Sequence, residues 1–319
     1  MKSNDNGPRF CLEIWGTDFN KIRDTCFLAE KLGYNGFFYG ESLSDIDLDC
    51  WTVLSSLSGL TNKIKLGPVI TYLLPQYRSI ALLAKQAVTL QEISEGRLEF
   101  RTGVGAIPQW ASQWWHPYGI EYPSNVQRAC MLDEGIFLLR KLWKYDSDDE
   151  PSVHFSGKYF KLNGAPSMKP RKTIPITIAA MKKKTMQIAN KHADVWESSY
   201  LTPGQLTALN KKFEFMKSTF NENLKQDCVG KKLIKKSIEL DVLIADSDSD
   251  LEHKKRIFAT ERGPATARMI FKYGLVGRPS RVAERLKKYI DVGVDQFFLA
   301  FQDPFDSNAL ELFTEAFGY

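Results

Sequence analysis

The sequence predicts an α/β protein of the (β/α)8, or TIM barrel, class with insertions. Three observations carry that prediction. Short apolar runs alternate with amphipathic helical stretches from residue 9 to residue 301, and parallel strands need a crossover, commonly a helix, between them. Eight such runs can be counted, as a (β/α)8 barrel requires, whereas a doubly wound sheet has fewer strands and a glycine-rich first turn. The chain has 319 residues, 43% of them hydrophobic, which is enough to bury one large core.

The elements follow in order. RFCLEI (9–14) reads as the first strand, and DFNKIRDTCFLAEKLG (18–33) places Ile22, Cys26, Ala29 and Leu32 on one helical face, with Gly33 as its stop. NGFFYG (35–40) is the second strand, followed by a helix around WTVLSSLSGL (51–60). KIKLGPVIT (63–71) is the third, then a helix over SIALLAKQAVTLQEIS (79–94) and a fourth strand, RLEFRTG (97–103). A long helix through ACMLDEGIFLLRKLW (129–143) precedes VHFSGKYFKL (153–162), whose alternation around Ser156-Gly157 predicts an inserted β-hairpin. PITIAA (175–180), ADVWESS (193–199), SIELDVLIAD (237–246) and VDQFFLAF (294–301) supply strands five to eight. Polar helical sequence within 200–275 predicts a second insertion, capping the barrel mouth or packing outside it. No domain boundary is evident, so residues 1–319 are expected to form a single domain.

Composition narrows the function. The net charge of +5 is unevenly spread, with an acidic run KYDSDDE (144–150) and basic runs KKK (182–184) and KKLIKK (231–236). Neither basic run is interleaved with aromatics as a nucleic-acid surface would be, and both are expected to be solvated. No run approaches the roughly 20 apolar residues of a membrane span. The amino terminus lacks an apolar signal core, so a cytoplasmic protein is expected. Cys11, Cys26, Cys50, Cys130 and Cys228 show no CxxC spacing, which points to reduced thiols, with Cys11 and Cys26 as buried filler. His116, His154, His192 and His253 lie far apart without HxH or HExxH spacing, and no metal is expected. There is no GxSxG elbow.

In this fold class the site lies at the carboxyl ends of the strands. Those ends carry Glu41 and Ser42, Thr71 and Tyr72, Gly103, Val104 and Gly105, Ala179 to Thr185, and Ser198 and Ser199. Small and polar groups there let a flat ring lie against backbone amides. Within GRLEFRTGVGAIPQW (96–110), Pro108 stands where the dinucleotide fingerprint needs its third glycine, so the pair Gly103 and Gly105 marks either a plain turn or another kind of ring site. Ala179-Ala180-Met181 leads into a helix start bearing Lys182, Lys183 and Lys184. Lysines there oppose the helix dipole, so either an anion sits nearby or the helix start is simply solvated.

Leu66-Gly67, Ile70-Thr71, Ala81 and Ala84, Thr89-Leu90-Gln91, Ser94, Gly96-Arg97 and Gly103-Val104-Gly105 form a block that continues through RACMLDEGIFLLRKLW, HFSGKYFKL, PITIAA and ADVWESS to VGRPSRVAERLKKYIDVGVDQFFL (276–299). On these motifs nearly the whole chain resembles the luciferase-like family of flavin- and deazaflavin (coenzyme F420)-dependent oxidoreductases. The resemblance implies a ring held at Val69, Ile70, Thr71, Gly103, Val104 and Gly105, with a phosphate near Ala179, Ala180, Met181, Lys182, Lys183 and Lys184. It also implies a non-prolyl cis peptide between Val69 and Ile70. Departures from the family are Glu41-Ser42 in place of an Asp-His pair, Ala106 where a carboxylate can follow the glycines, and lysines where the phosphate loop is often glycine-rich. Glu41 then becomes the acid/base candidate, the alternative being a structural carboxylate paired with an arginine such as Arg101. The function implied is hydride transfer between coenzyme F420 and a small organic substrate. The alternatives are a reduced-FMN-dependent monooxygenase and an inactive barrel acting as a binding or subunit-partner protein. The expected partner is a small-molecule substrate, with neither nucleic acid nor membrane, and a homodimer is compatible with the resemblance.

Overall fold

The computed structural model describes residues 7–144, 152–223 and 233–317. The acidic run beyond Lys144, Cys228 and the first residues of KKLIKK lie outside the described residues. In chain order the elements are β1 (Arg9–Ile14), α1 (Phe19–Leu32), β2 (Gly36–Gly40), α2 (Cys50–Leu60), β3 (Lys65–Val69), α3 (Ile80–Ile93), β4 (Phe100–Gly103), α4 (Pro108–Ala111) and α5 (Asn125–Trp143). There follow β5 (Ser152–Ser156), β6 (Lys161–Pro166), β7 (Ile176–Ala179), α6 (Lys183–His192), β8 (Val195–Ser199), α7 (Pro203–Asn223) and β9 (Lys235–Ile244). The chain continues through α8 (Asp248–Arg262), α9 (Pro264–Tyr273), β10 (Leu275–Gly277), α10 (Pro279–Asp291), β11 (Gln296–Phe301) and α11 (Ser307–Glu315). The predicted eight strands are β1, β2, β3, β4, β7, β8, β9 and β11, and with their intervening helices they make the expected α/β (β/α)8 fold.

The chain divides into two compact units, one made of residues up to Phe38 and from Val195 onward, the other of Tyr39–Asp194. In the Tyr39–Asp194 unit, β4 pairs parallel with β7 from Phe100 opposite Ile176 to Gly103 opposite Ala179. Parallel bridges Leu66–Leu98 and Thr71–Thr102 tie the β3 side to β4. These strands are buried on both faces, as those of a parallel sheet covered by helices are. Leu66, Leu98, Phe100, Ile176 and Ile178 are buried, and Trp143 of α5 meets Phe100 edge-on at 5.5 Å. Helix α5 starts where Ser124 and Gln127 form a capping box, which satisfies amides that the first turn leaves without helical acceptors. The predicted hairpin is present as antiparallel β5 and β6. Its connection is longer than a two-residue turn because the Glu134 carboxylate of α5 accepts the N–H groups of Lys158, Tyr159 and Phe160.

In the other unit, β1 pairs parallel with β11, β11 with β9, and β9 with β8. The first helix begins at Asp18, whose carboxylate accepts from the Asn20 and Lys21 amides, and ends at Gly33 with φ of 87°, the left-handed cap that glycine adopts without a Cβ penalty. Cys11 and Cys26 are buried, as expected of small apolar filler. The 200–275 insertion resolves into α7, α8 and α9, with the three-residue β10 added on β9. That strand is too short to show a period of its own. No described helix is long and apolar enough to cross a membrane.

Candidate functional site

Within the Tyr39–Asp194 unit the pairing of β3, β4 and β7 brings small and polar residues together at the strand ends. A Cβ added to Gly103 would stand 3.1 Å from both the Ala179 Cβ and the Ile70 Cδ1, so any larger residue at 103 would fill the gap between them. The Val69-Ile70 peptide is cis, as the family resemblance implied. Thr71 donates its amide to the Arg101 carbonyl at 2.9 Å and accepts the Thr102 hydroxyl on its own carbonyl at 2.7 Å, which locks the β3 end onto β4. Gly105 has φ of 72°, and a Cβ there would lie 2.3 Å from Tyr72 Cε1, so both conformation and space demand glycine.

Glu41 follows β2 and is 3% exposed. Its amide donates to the Val69 carbonyl at 3.0 Å, Thr71 Oγ1 donates to its Oε2 at 2.6 Å, and Arg78 Nη1 stands 2.9 Å from its Oε1. Burial raises the Glu41 pKa, while the Arg78 charge and the Thr71 hydroxyl pull the other way. The arginine partner is Arg78, not the Arg101 named from the sequence. Arg78 sits in the segment leading into α3 and lies 4.9 Å over the Tyr77 ring, an alignment that strand spacing could not show.

Lys182, Lys183 and Lys184 are exposed, and Met181 is largely so. Among the described residues no ion pair or hydrogen bond joins these lysines to Glu41, Thr71 or the glycines. The Lys182 amide donates to Thr185 Oγ1 at 3.2 Å, and Lys184 Nζ meets Cys130 Sγ at 3.0 Å. Ala180 is buried, whereas Val104 and Ala179 are half-buried. Ser198 and Ser199, named as strand-end residues, belong to the other unit, where the Ser198 hydroxyl donates to the Ser237 carbonyl at 3.4 Å.

Besides Arg78, two residues of this region escaped the sequence reading. Arg128 of α5 is 2% exposed and donates to the carbonyls of Val104 at 2.6 Å and Ala106 at 2.8 Å, to Asn125 Oδ1 at 2.5 Å and to the Pro123 carbonyl. It thereby fixes the Gly103–Ala106 turn against the start of α5. Asp47, in the turn after β2, is buried with Ser42 Oγ donating to its Oδ1 at 2.9 Å. The sequence signal available for either was faint, since a polar residue inside a helix and an aspartate in an aspartate-rich turn both read as solvated.

The sequence profile of luciferase-like monooxygenases matches residues 9–214. The chain belongs to that family. Among curated relatives, the chain is 24% identical over 196 residues to the pyrimidine monooxygenase RutA of Acinetobacter baylyi, covering 59% of this chain and 49% of that one. It spans about half the length of the curated relatives it matches. Among solved structures, an F420-dependent secondary alcohol dehydrogenase in complex with an F420-acetone adduct matches over 98% of both chains, with a TM-score of 0.79 at 18% identity. The oxygenating constituent of 3,6-diketocamphane monooxygenase from Pseudomonas putida, in complex with FMN, matches over 97% of this chain and 98% of that one, with a TM-score of 0.70 at 19% identity. These likenesses establish the fold.

Proposed function

We propose that this luciferase-like oxidoreductase uses the deazaflavin coenzyme F420 to pass hydride to or from a small organic substrate. The observation that carries the reading is the run Lys182–Lys184. Three exposed ammonium groups follow the Ala179–Met181 strand end in succession, and none of them has a carboxylate within salt-bridge reach among the described residues. Such a cluster suits a multiply charged tail, and the first-turn amides of α6 add their own affinity for an anion.

The residues fit the ring as well. Gly103 puts no side chain between Ile70 and Ala179, so a flat face would lie against backbone there, and Thr71 with the Gly103–Gly105 backbone would hold its edge. Bound there, the ring supplies hydride. Glu41 holds Thr71 and Arg78 through both of its oxygens, so it would serve in proton transfer only when that pair opens.

A reduced-FMN-dependent monooxygenase is the second reading. It is favoured by the buried cluster of Tyr72, Trp115 and Tyr122, in which Tyr72 and Trp115 meet at 5.0 Å and Gly105 lies against both tyrosines, an apolar wall of the kind that excludes water. Titration of the purified protein with F420 and with FMN, followed by fluorescence, separates the two. F420 is expected to bind more tightly, and replacing both Lys183 and Lys184 with alanine should weaken it about three- to tenfold. Tighter FMN binding, or FMN carried through purification, reverses the assignment.

A further inference from the structure

Asp47 is a buried carboxylate without a cation. It is 9% exposed, its Oδ1 accepts from Ser42 Oγ at 2.9 Å, and its Oδ2 has no hydrogen-bond partner among the described residues. Its neighbours Asp45 and Asp49 are exposed. Arg78, the guanidinium that meets the neighbouring buried acid, is committed to Glu41. The charged and titratable groups that sense Asp47 are Tyr39, Tyr72 and Cys50, all neutral at ordinary pH and all pushed upward by burial. Burial pushes Asp47 itself up to about 6, with only the Ser42 hydroxyl opposing. Elsewhere in the same unit, Asp133 shows the ordinary outcome: His192 and Lys191 meet it and hold it down to about 2.

An asparagine would satisfy the turn without the cost of burying an ionisable group. What aspartate adds is a proton that can be given and taken. Ser42 has the geometry to carry it. Its Oγ lies 2.6 Å from Ser44 Oγ and accepts the Ser44 amide at 3.1 Å, while its own hydroxyl faces Asp47. The residue is half-buried and directly follows Glu41, whose amide is bonded to the Val69 carbonyl beside Ile70. The hydroxyl therefore stands at the strand end that borders the proposed ring cradle.

We propose that Ser42 and Asp47 form the proton relay of this site, with Ser42 as the group that touches the substrate and Asp47 as its proton store. The proposal rests on the oxidoreductase reading given above. In the reducing direction the ring would supply hydride, with its electron pair, to a substrate carbon, and Ser42 Oγ would give a proton to the adjoining heteroatom. Ser42 in turn takes one from the Asp47 carboxyl group, which is left as carboxylate. Oxidation runs the same transfers in reverse, and Asp47 ends protonated.

The test uses the full chain with Asp47→Asn, Ser42→Ala and Ser42→Thr. Carbon-detected NMR of the carboxyl groups in cofactor-free protein should show, beside the Asp241 carboxyl near pH 7, a carboxyl titrating near pH 6 that is lost in Asp47→Asn. With F420 or FMN bound, the slope of the midpoint potential against pH should bend near pH 6 in wild type and in Ser42→Thr, but not in Asp47→Asn or Ser42→Ala. Cofactor affinity should stay within about twofold throughout. Asp47→Asn should also unfold at higher urea than wild type at pH 8, where the wild-type carboxylate is charged and unpaired, so loss of the bend cannot be put down to a damaged fold. A titration near pH 4 for the carboxyl group that Asp47→Asn removes, or a bend that survives both Asp47→Asn and Ser42→Ala, overturns the relay alone. Failure of wild type to bind either cofactor overturns the oxidoreductase reading and the relay with it.

Discussion

Glu41 and Asp241, one in each compact unit, are acids held in opposite ways. In Tyr39–Asp194, Glu41 is matched by a guanidinium and a hydroxyl, and the adjoining strand ends carry threonine, glycine and alanine. In the other unit, β9 carries Glu239 and Asp241 on alternate positions of one face, opposite Ser199 of β8 and Ala300 of β11 respectively. Tyr200 donates its hydroxyl to Glu239 at 3.4 Å, and Gln302 donates to Asp241 at 3.0 Å. Asp241 is pushed up to about 7, first by burial and then by the Glu239 charge. The contrast teaches that one β/α scaffold can hold a buried acid with a fixed cation or with a proton, and only the second makes the fold answer to pH near neutrality.

The largest effect expected from this comparison is that of Arg78→Met. It leaves Glu41 buried without its cation and should cost about 3–5 kcal/mol at pH 8, read as a lowered urea midpoint. Because burial already raises the Glu41 pKa, the loss should shrink as pH falls and the carboxyl takes a proton. Adding Glu41→Gln to Arg78→Met should restore most of the stability at pH 8. A cost below about 1 kcal/mol would place the pair among exposed salt bridges and break the contrast.

Gly105→Ala comes next. With φ of 72° and Tyr72 Cε1 2.3 Å from the new Cβ, the turn must shift, at a cost of about 2 kcal/mol. Weaker binding of the preferred cofactor should accompany it, and unchanged unfolding and binding would show that the turn yields freely.

The smallest effect belongs to Asp241→Asn and sharpens the other side of the comparison. The folded pKa of about 7 lies above the ordinary carboxylate value. The stability that this proton contributes is therefore complete at low pH and lost as pH rises through about 7. Wild-type unfolding free energy should fall between pH 5 and pH 7 with a contribution of up to about 1.4 kcal/mol per pH unit from this group. Asp241→Asn should flatten that slope. A slope unchanged in the variant assigns the titration to another acid.

Much of the fold was legible because it depends on local pattern. The alternation of apolar runs and helical faces located all eight barrel strands, Gly33 marked the end of α1 and a short antiparallel pair was expected near Ser156. Boundaries moved where tertiary contacts intervened: β4 begins at Phe100 although the apolar run starts at Leu98, which makes only an isolated bridge to Leu66. The hairpin turn stretched to meet Glu134, a partner 24 residues earlier in the chain.

For the site, the sequence by itself determined which small and polar residues stand at the strand ends, since strand position and residue type are both written in the chain. It also located the glycines at 103 and 105 and the lysine run, whose chemistry is independent of neighbours. Only the tertiary structure decided what each charge faces. Arg78 rather than Arg101 meets Glu41, Arg128 clamps the Val104 and Ala106 carbonyls, and Asp47 alone among the aspartates of its turn is buried. The physical reason is that periodicity reports which face of an element is apolar, while the ionisation of a side chain depends on desolvation and on partners brought in by distant segments, and neither leaves a trace in local spacing.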